Sequence, residues 1–203
     1  MRSPLATKKL IISRAMSIFN TKGYRATSLS DITKATGITK GAIYGNFENK
    51  DAVEIAAFEY GVNTVIEELR SRIRSAPTAP LKLKAMMEYY EEYVLNPPIS
   101  GGCPIINTSI EADDNHPLLR ARVIRTISIL KDSVKKIIHR GIKEGQLDPN
   151  IRVDEFATTF YATVEGAIVL SRVEGDLESY QLIRKHLSTQ IDKLTLKLSL
   201  IHI

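Results

Sequence analysis

The chain has 203 residues, 43% of them hydrophobic and 25% charged, with a formal net charge of +5. This fits a globular protein that buries its own core and excludes a staple-dependent miniature or a disordered tail. The single cysteine, Cys103, excludes an internal disulfide and a cysteine-built zinc site, and fits a reducing, cytoplasmic compartment. No stretch reaches the roughly 18 consecutive apolar residues of a bilayer span. The N-terminal KKLIISRAMSIF is interrupted by Arg14 and followed by no small-residue cleavage site, so no export signal and no membrane partner is expected.

Charge is uneven along the chain. Residues 1–50 hold nine Lys or Arg against Asp31 and Glu48, a net of +7; the rest hold nineteen against twenty-one, a net of −2. A basic block of this kind points to a polyanion as partner of the first quarter, although a solvated basic surface gives the same count.

The periodicity is helical almost throughout. Ile11, Ala15, Ile18 and Phe19 place one apolar stripe on a helix from about Thr7 to Lys22, stopped by Gly23. Ser28 to Asp31 reads as a capping box, after which Leu29, Ile32 and Ala35 face inward until Gly37. Thr39 caps a second short helix whose buried edge is Ile43 and Phe47. Asn49 caps a long helix with Ile55, Phe58, Val62, Ile66, Leu69 and Ile73 in phase, ended by SAPTAP. Further helices are predicted from Leu81 to Leu95, from Cys103-Pro104 to near Asn115, and from Pro117 to about Gly145. Two more run from about Val153 to Glu174 and from Asp176 to about Leu200.

The tight pair around Gly37 has the form of a helix-turn-helix. A helix that enters the major groove must offer base edges small or hydrogen-bonding residues while a preceding helix braces it. With Ile43 and Phe47 buried, Thr39, Lys40, Gly41, Tyr44 and Asn46 point outward. Gly41 permits close approach, the Thr39 end offers backbone N–H groups to phosphate, and Asn46 is of the type that pairs with adenine. Thr27, Ser28 and Lys50 are suited to phosphate contacts.

The stretch AMSIFNTKGYRATSLSDITKATGITKGAIYGNFENKDAVEIAAFE, within about Ile11 to Phe58, resembles the N-terminal domain of TetR-family transcriptional regulators. There G-Y-x-x-T-[ST] and D-I-x-x-x-x-G-[IV]-[ST]-K-G-x-[IL]-Y-x-x-F-x-x-K recur in this order. The resemblance implies an all-α fold of nine helices, with a three-helix DNA-binding domain and a six-helix ligand-binding and dimerisation domain. It also implies a homodimer through the last two helices and a C-terminal pocket whose ligand releases operator DNA. Carried over to this chain, it implies phosphate contacts by Thr27 and Ser28, groove or rim positions for Lys40, Gly41 and Tyr44, and a backbone anchor at Lys50. Gly45 and Asn46 depart from the family, many members having a larger or aromatic residue followed by His. The division expected is 1–48 for DNA binding and 49–203 for ligand and dimer.

A shorter resemblance to a subset of these regulators covers GGCPIINTSIEADDNHPLLR. Cys103 near a helix start is either a thiolate sensor or a small buried hydrophobe. Glu111, Asp113, Asp114 and His116 are typed as metal ligands, but helical spacing spreads them around the axis, so no metal and no cofactor is expected. Asn107 and Cys103 are assigned to the floor of a ligand cavity or to a joint between helices. Tyr89, Tyr90 and Tyr93, with Phe160, are the candidate contacts of an unknown planar or hydrophobic effector. Thr163, Gly166, Ala167 and Leu170 on one helix, and Ile183, Leu187, Leu194 and Leu198 on the next, are the candidate dimer seam.

The reading is a ligand-responsive, dimeric, sequence-specific repressor on a double-stranded, palindromic operator. An all-helical carrier and a non-specific DNA-packaging protein stay open as alternatives. An enzyme is not expected, because no nucleophile set, phosphate loop or paired carboxylates stand out.

Overall fold

The computed structural model describes residues 3–196, the side chains of residues 113–115 excepted. Among the described residues the fold is all-α, with α1 (Pro4–Lys22), α2 (Leu29–Thr36), α3 (Lys40–Tyr44), α4 (Lys50–Ser75), α5 (Ala79–Leu95), α6 (Pro104–Asn115), α7 (Pro117–Lys143), α8 (Val153–Glu174) and α9 (Glu178–Leu194).

Small polar residues fix the helix starts. Ser3, Ser28, Thr39 and Thr78 each accept a backbone N–H three residues on, and Asn49 Oδ1 accepts from Ala52. α1 and α5 begin slightly earlier than periodicity placed them, because Pro4 and Pro80 sit in the first turn, where a missing N–H costs nothing. Gly37 and Gly175 close α2 and α8 in the left-handed conformation. α9 ends at Leu194, where the chain turns extended: Leu194 O accepts from Asp148 N and Leu196 N donates to Gln146 O, around a Leu147–Thr195 bridge. Leu198, the expected end at Leu200 and His202 lie outside the described residues, as do the side chains of Asp113 and Asp114.

The described chain forms two compact units. One comprises the chain up to Ile66 with Pro97–Ile127; the other comprises Glu67–Asn96 and the chain from Ser128 on. The first unit thus takes in α6 and the start of α7, a larger body than residues 1–48.

In the first unit α1 buries Ile11, Ala15, Met16 and Phe19, and α1 packs on α2 and α6. α2 and α3 each bury one residue, Ile32 and Ile43. Ala35, expected inward, is exposed, because Thr36 is the residue four after Ile32 and takes the half-buried place. On α4 the buried row is Val53, Ala57, Phe58, Gly61, Val62 and Val65, leaving Ile55 and Ile66 half-buried. The smaller residues win this face because α1 comes close: a Cβ on Gly61 would lie 2.7 Å from Met16 Sδ.

A polar knot closes the turn before α6. The buried Asn20 donates to the carbonyls of Ser100 (2.8 Å) and Gly102 (2.6 Å). Asn107 Nδ2 donates to Asn20 O (3.1 Å), Asn20 Oδ1 (2.9 Å) and Gly101 O (2.9 Å). Asn107 therefore belongs to a joint between helices, one of its two expected places, and Cys103 is buried beside it at the N-cap of α6.

In the second unit α5 packs on α8 and α9, and α8 packs on α9. The core includes Leu83, Met86, Met87, Tyr89, Tyr90, Tyr93, Phe160, Ile168, Tyr180 and Ile191. Tyr180 donates to Met87 O at 2.7 Å, and burial holds its phenol above the ordinary range.

Gly101 has φ +95, and a Cβ there would lie 2.4 Å from Asn20 O; Gly145 has φ +67 with nothing within 4 Å. Gly145→Ala is expected to lose about 1–2 kcal/mol, the left-handed penalty alone. Gly101→Ala is expected to lose clearly more in the same urea titration, because backbone must move. Equal losses would show that the turn yields freely.

Candidate nucleic-acid interface

The surface that the sequence assigned to a polyanion is built on α2 and α3. Ser28 and Asp31 form a full capping box: Asp31 N donates to Ser28 Oγ (3.2 Å), and Ser28 N and Oγ both donate to Asp31 Oδ2 (2.7 Å each). Lys22 pairs with the same carboxylate at 2.9 Å. The Ser28 hydroxyl, then Lys22 and the Ser28 N–H, hold the Asp31 carboxyl well below the usual carboxylate range. On α3, Ile43 is buried while Thr39, Lys40, Gly41 and Tyr44 are exposed, Tyr44 by 52%. A Cβ on Gly41 would meet nothing within 4 Å, so the middle of this face is open to close approach. Lys8 of α1 lies over the ring of Phe47, just past α3, at 5.2 Å.

Three predicted contacts are placed differently from the expectation. Thr27 is buried, and its hydroxyl donates to Gly23 O at 2.6 Å, so its side chain faces the protein. Lys50 donates to Tyr24 O (2.8 Å) and pairs with the buried Glu54 (2.8 Å), so its ammonium is an internal tie; a buried carboxylate at 54 requires that partner. Asn46, just past α3, turns back on it, Nδ2 donating one of its two N–H groups to Ala42 O at 2.8 Å, so a bidentate adenine contact requires the side chain to turn outward. Ser28, Thr39, Lys40, Gly41 and Tyr44 are all exposed.

Sequence reasoning missed what holds the loop ahead of α2. Glu111 of α6 accepts the N–H groups of Tyr24 (3.1 Å) and Arg25 (3.0 Å). Thr108 donates to the Tyr24 hydroxyl at 3.2 Å, and the Tyr24 ring stacks on Phe19 at 4.7 Å. Burial pushes the Tyr24 phenol above its ordinary range. One signal was present: Asn20 stands four residues after Met16 on the apolar face of α1, and a polar group there requires partners from elsewhere.

His116, set apart as a ligand candidate with Glu111, instead approaches α4: Nε2 is 3.2 Å from Glu54 Oε2 and 3.9 Å from Asp51 Oδ1. Nδ1 accepts from Leu119 N at 3.2 Å, which assigns the ring proton to Nε2, facing the carboxylates. The three donor atoms lie within 4.8 Å of one another, but Lys50 already neutralises Glu54, and with Nδ1 accepting from Leu119 the Nε2 that faces the carboxylates carries the proton and not the lone pair a metal would take.

The remaining candidates fall in the second unit. Tyr89, Tyr90 and Tyr93 form one aromatic cluster with centroids 5.1 to 6.2 Å apart. Phe160, Thr163, Leu187 and Leu194 line a groove of about 510 Å³ on α8 and α9, which brings one predicted effector contact together with three predicted seam residues. Ala167 is buried within the chain and so leaves the exposed row of α8, which consists instead of Ala162, Gly166, Val169, Leu170 and Val173; Ile183 is half-buried.

Comparison with known proteins decides the family. The description Bacterial regulatory proteins, tetR family, matches residues 11–57, and Tetracyclin repressor-like, C-terminal domain, matches residues 79–187. The chain belongs to the TetR family of transcriptional regulators. A TetR transcriptional regulator of Chloroflexus aurantiacus is 34% identical, with a TM-score of 0.92 over 96% of this chain and 98% of its own. A TetR-family regulator of Cytophaga hutchinsonii is 36% identical, with a TM-score of 0.87 over 97% and 98%. The HTH-type transcriptional repressor DhaR of a Mycobacterium species is 23% identical over 177 residues, 87% of each chain. No helix among the described residues is long and apolar enough to cross a membrane.

Because the Asp31 carboxyl is held below its ordinary value in the folded state, its contribution is full above the usual carboxylate range and is lost as pH falls through the folded value. Asp31→Ala should therefore be less stable than the parent near neutral pH, with the gap narrowing progressively below about pH 4. Paired thermal melts from pH 7 to pH 3 measure it; a gap independent of pH would remove the ion pair from the account.

Proposed function

We propose that this regulator is a cytoplasmic, non-catalytic, ligand-responsive repressor that binds palindromic double-stranded operator DNA as a homodimer. Residues 1–48 form the reading head, and residues 49–203 take the effector and the second copy. The observation that carries the reading is the exposed face of α3. Lys40, Gly41 and Tyr44 stand clear of the core, on the basic part of the chain.

The roles divide by chemistry. Thr39 and the α3 start serve phosphate, the Ser28 N–H and hydroxyl being taken by Asp31; Lys40 and Tyr44 serve the groove or its rim, with Gly41 letting the backbone come near. A second copy covers the exposed α8 row around Gly166 and Val173, the latter 84% exposed. Two heads then read two half-sites, which makes the operator two-fold symmetric. The Tyr89, Tyr90 and Tyr93 cluster and Phe160 suit a planar or hydrophobic effector. α4 contributes residues to both compact units, so an effector that prefers one placement of α4 shifts operator affinity by its differential affinity for the two states.

Binding to the protein's own upstream DNA and to a scrambled duplex, across a salt series, tests the head. The expectation is a large preference for the upstream DNA and an affinity that falls steeply with salt. Tyr44→Ala should lose about 1–3 kcal/mol of specific binding, while Lys40→Ala should also lower the salt slope by about one. Equal affinity for both duplexes would favour a packaging protein instead.

Sedimentation of Gly166→Arg tests the dimer. A Cβ on Gly166 would meet nothing within 4 Å, so the fold should persist while the added bulk blocks a close helix approach. Monomers with at least tenfold weaker operator binding are expected; an unchanged dimer places the interface elsewhere.

A further inference from the structure

Along the sequence, the cations outside the first quarter are matched by acids. In the second unit four of them, from three helices, nonetheless face one hollow of about 260 Å³: Arg74 at the end of α4, Lys82 on α5, and Lys136 and Arg140 on α7. Its apolar part is made by Ile73, Ala79 and Ile137.

Only one of the four charges at this hollow is cancelled, that of Arg140 by Glu144. Glu144, the acid at its rim, is already engaged, accepting from Arg140 Nε at 2.6 Å and from Gln146 Nε2 at 3.0 Å. Lys82 donates to the carbonyls of Ile73 and Ala76, which pins its ammonium in place without neutralising it. Neither the Arg74 nor the Lys136 side chain has an ion pair or hydrogen bond with a described residue. Elsewhere in the same unit Lys84 meets Asp192, Lys135 meets Asp154, Arg184 meets Glu91 and Arg72 meets Glu92. A helix C-terminus attracts cations, which accounts for Arg74 and Arg140 one at a time. It does not account for two helix ends and a third helix delivering cations to one apolar-floored hollow.

We propose that this hollow binds a small organic anion, a single-ring or short apolar body bearing one phosphate or carboxylate. The two unengaged cations hold the anionic group, Arg74 with a fork suited to two oxygens and Lys136 as a point charge, while Ile73 and Ile137 take the apolar body. The hollow lies just under the roughly 300 Å³ at which small-molecule sites begin, so it holds one ring and not a dinucleotide. The site is separate from the α3 face and stands whether or not the operator reading does.

Calorimetric titration of the full chain, without DNA and at low salt, with phenyl phosphate, benzoate and phenol tests it. At least one anion should bind where phenol does not, and the stronger of the two identifies phosphate or carboxylate. The double variant Arg74→Gln/Lys136→Gln should weaken that anion at least tenfold. The variant Lys185→Gln/Lys193→Gln, which removes two exposed charges of α9, should leave it unchanged. Circular dichroism checks the fold, and if the double variant unfolds, the single variants Arg74→Gln and Lys136→Gln should each weaken binding several-fold. Absence of binding by both anions up to about 10 mM, an affinity indifferent to the Arg74 and Lys136 changes, or equal weakening by the α9 variant overturns the proposal.

Discussion

The amide of Asn20 is buried on the apolar face of α1, and much of the first unit is arranged to satisfy it. An unpartnered buried amide costs about 1–3 kcal/mol, so whatever covers it must bring acceptors and a donor. The Ser100–Gly102 turn supplies two carbonyls and Asn107 supplies the N–H. That requirement sets the positive φ of Gly101 and the register in which α6 begins at Pro104. With α6 in that register, Thr108 and Glu111, one and four residues after Asn107, come to Tyr24 and Arg25. Tyr24 in turn gives its carbonyl to Lys50. The loop leading into α2 is thus fixed by a line of hydrogen bonds that starts at one side chain.

Helix existence and order were legible because caps and apolar period agreed at nearly every start: Ser28, Thr39, Asn49 and Pro117 announce the helices that follow them. What periodicity could not give is which way a polar residue turns. Thr27 and Lys50 are of types that suit phosphate, but a buried Glu54 claims the lysine and the Gly23 carbonyl claims the threonine. Asn46 has a carbonyl one turn back within reach, and nothing in its spelling says so. Ala167 looked like a seam residue because small residues suit both a dimer face and a packed core, and only burial separates the two. The basic hollow joins residues more than sixty positions apart, a convergence to which a tally along the chain is blind.

The basic excess of the first quarter is spread over fewer free cations than its nine Lys and Arg suggest. Lys22 is paired with Asp31, already subtracted in the net of +7, and Lys50 is paired with Glu54 from outside that quarter. Lys9, Arg14, Arg25, Lys34 and Lys40 are exposed. Those two ion pairs act on helix junctions, Lys22 joining the end of α1 to the start of α2 and Lys50 joining α4 to the Tyr24 loop. Part of the charge that reads as affinity for a polyanion is therefore architectural, and the surface field is set by fewer, solvent-facing cations.

α3 is five residues long and buries only Ile43. A helix this short does not form by itself in water, so its position belongs to its neighbours and not to its own composition. Four of its five positions are therefore uncoupled from the core. Descendants of this chain can rewrite the exposed residues of α3, on the proposed function the ones that meet DNA, while keeping Ile43, Phe47 and the Asn20 joint, and so change what that face binds without first losing a stable scaffold. In this architecture the vocabulary of recognition drifts freely over a grammar of folding that stays put.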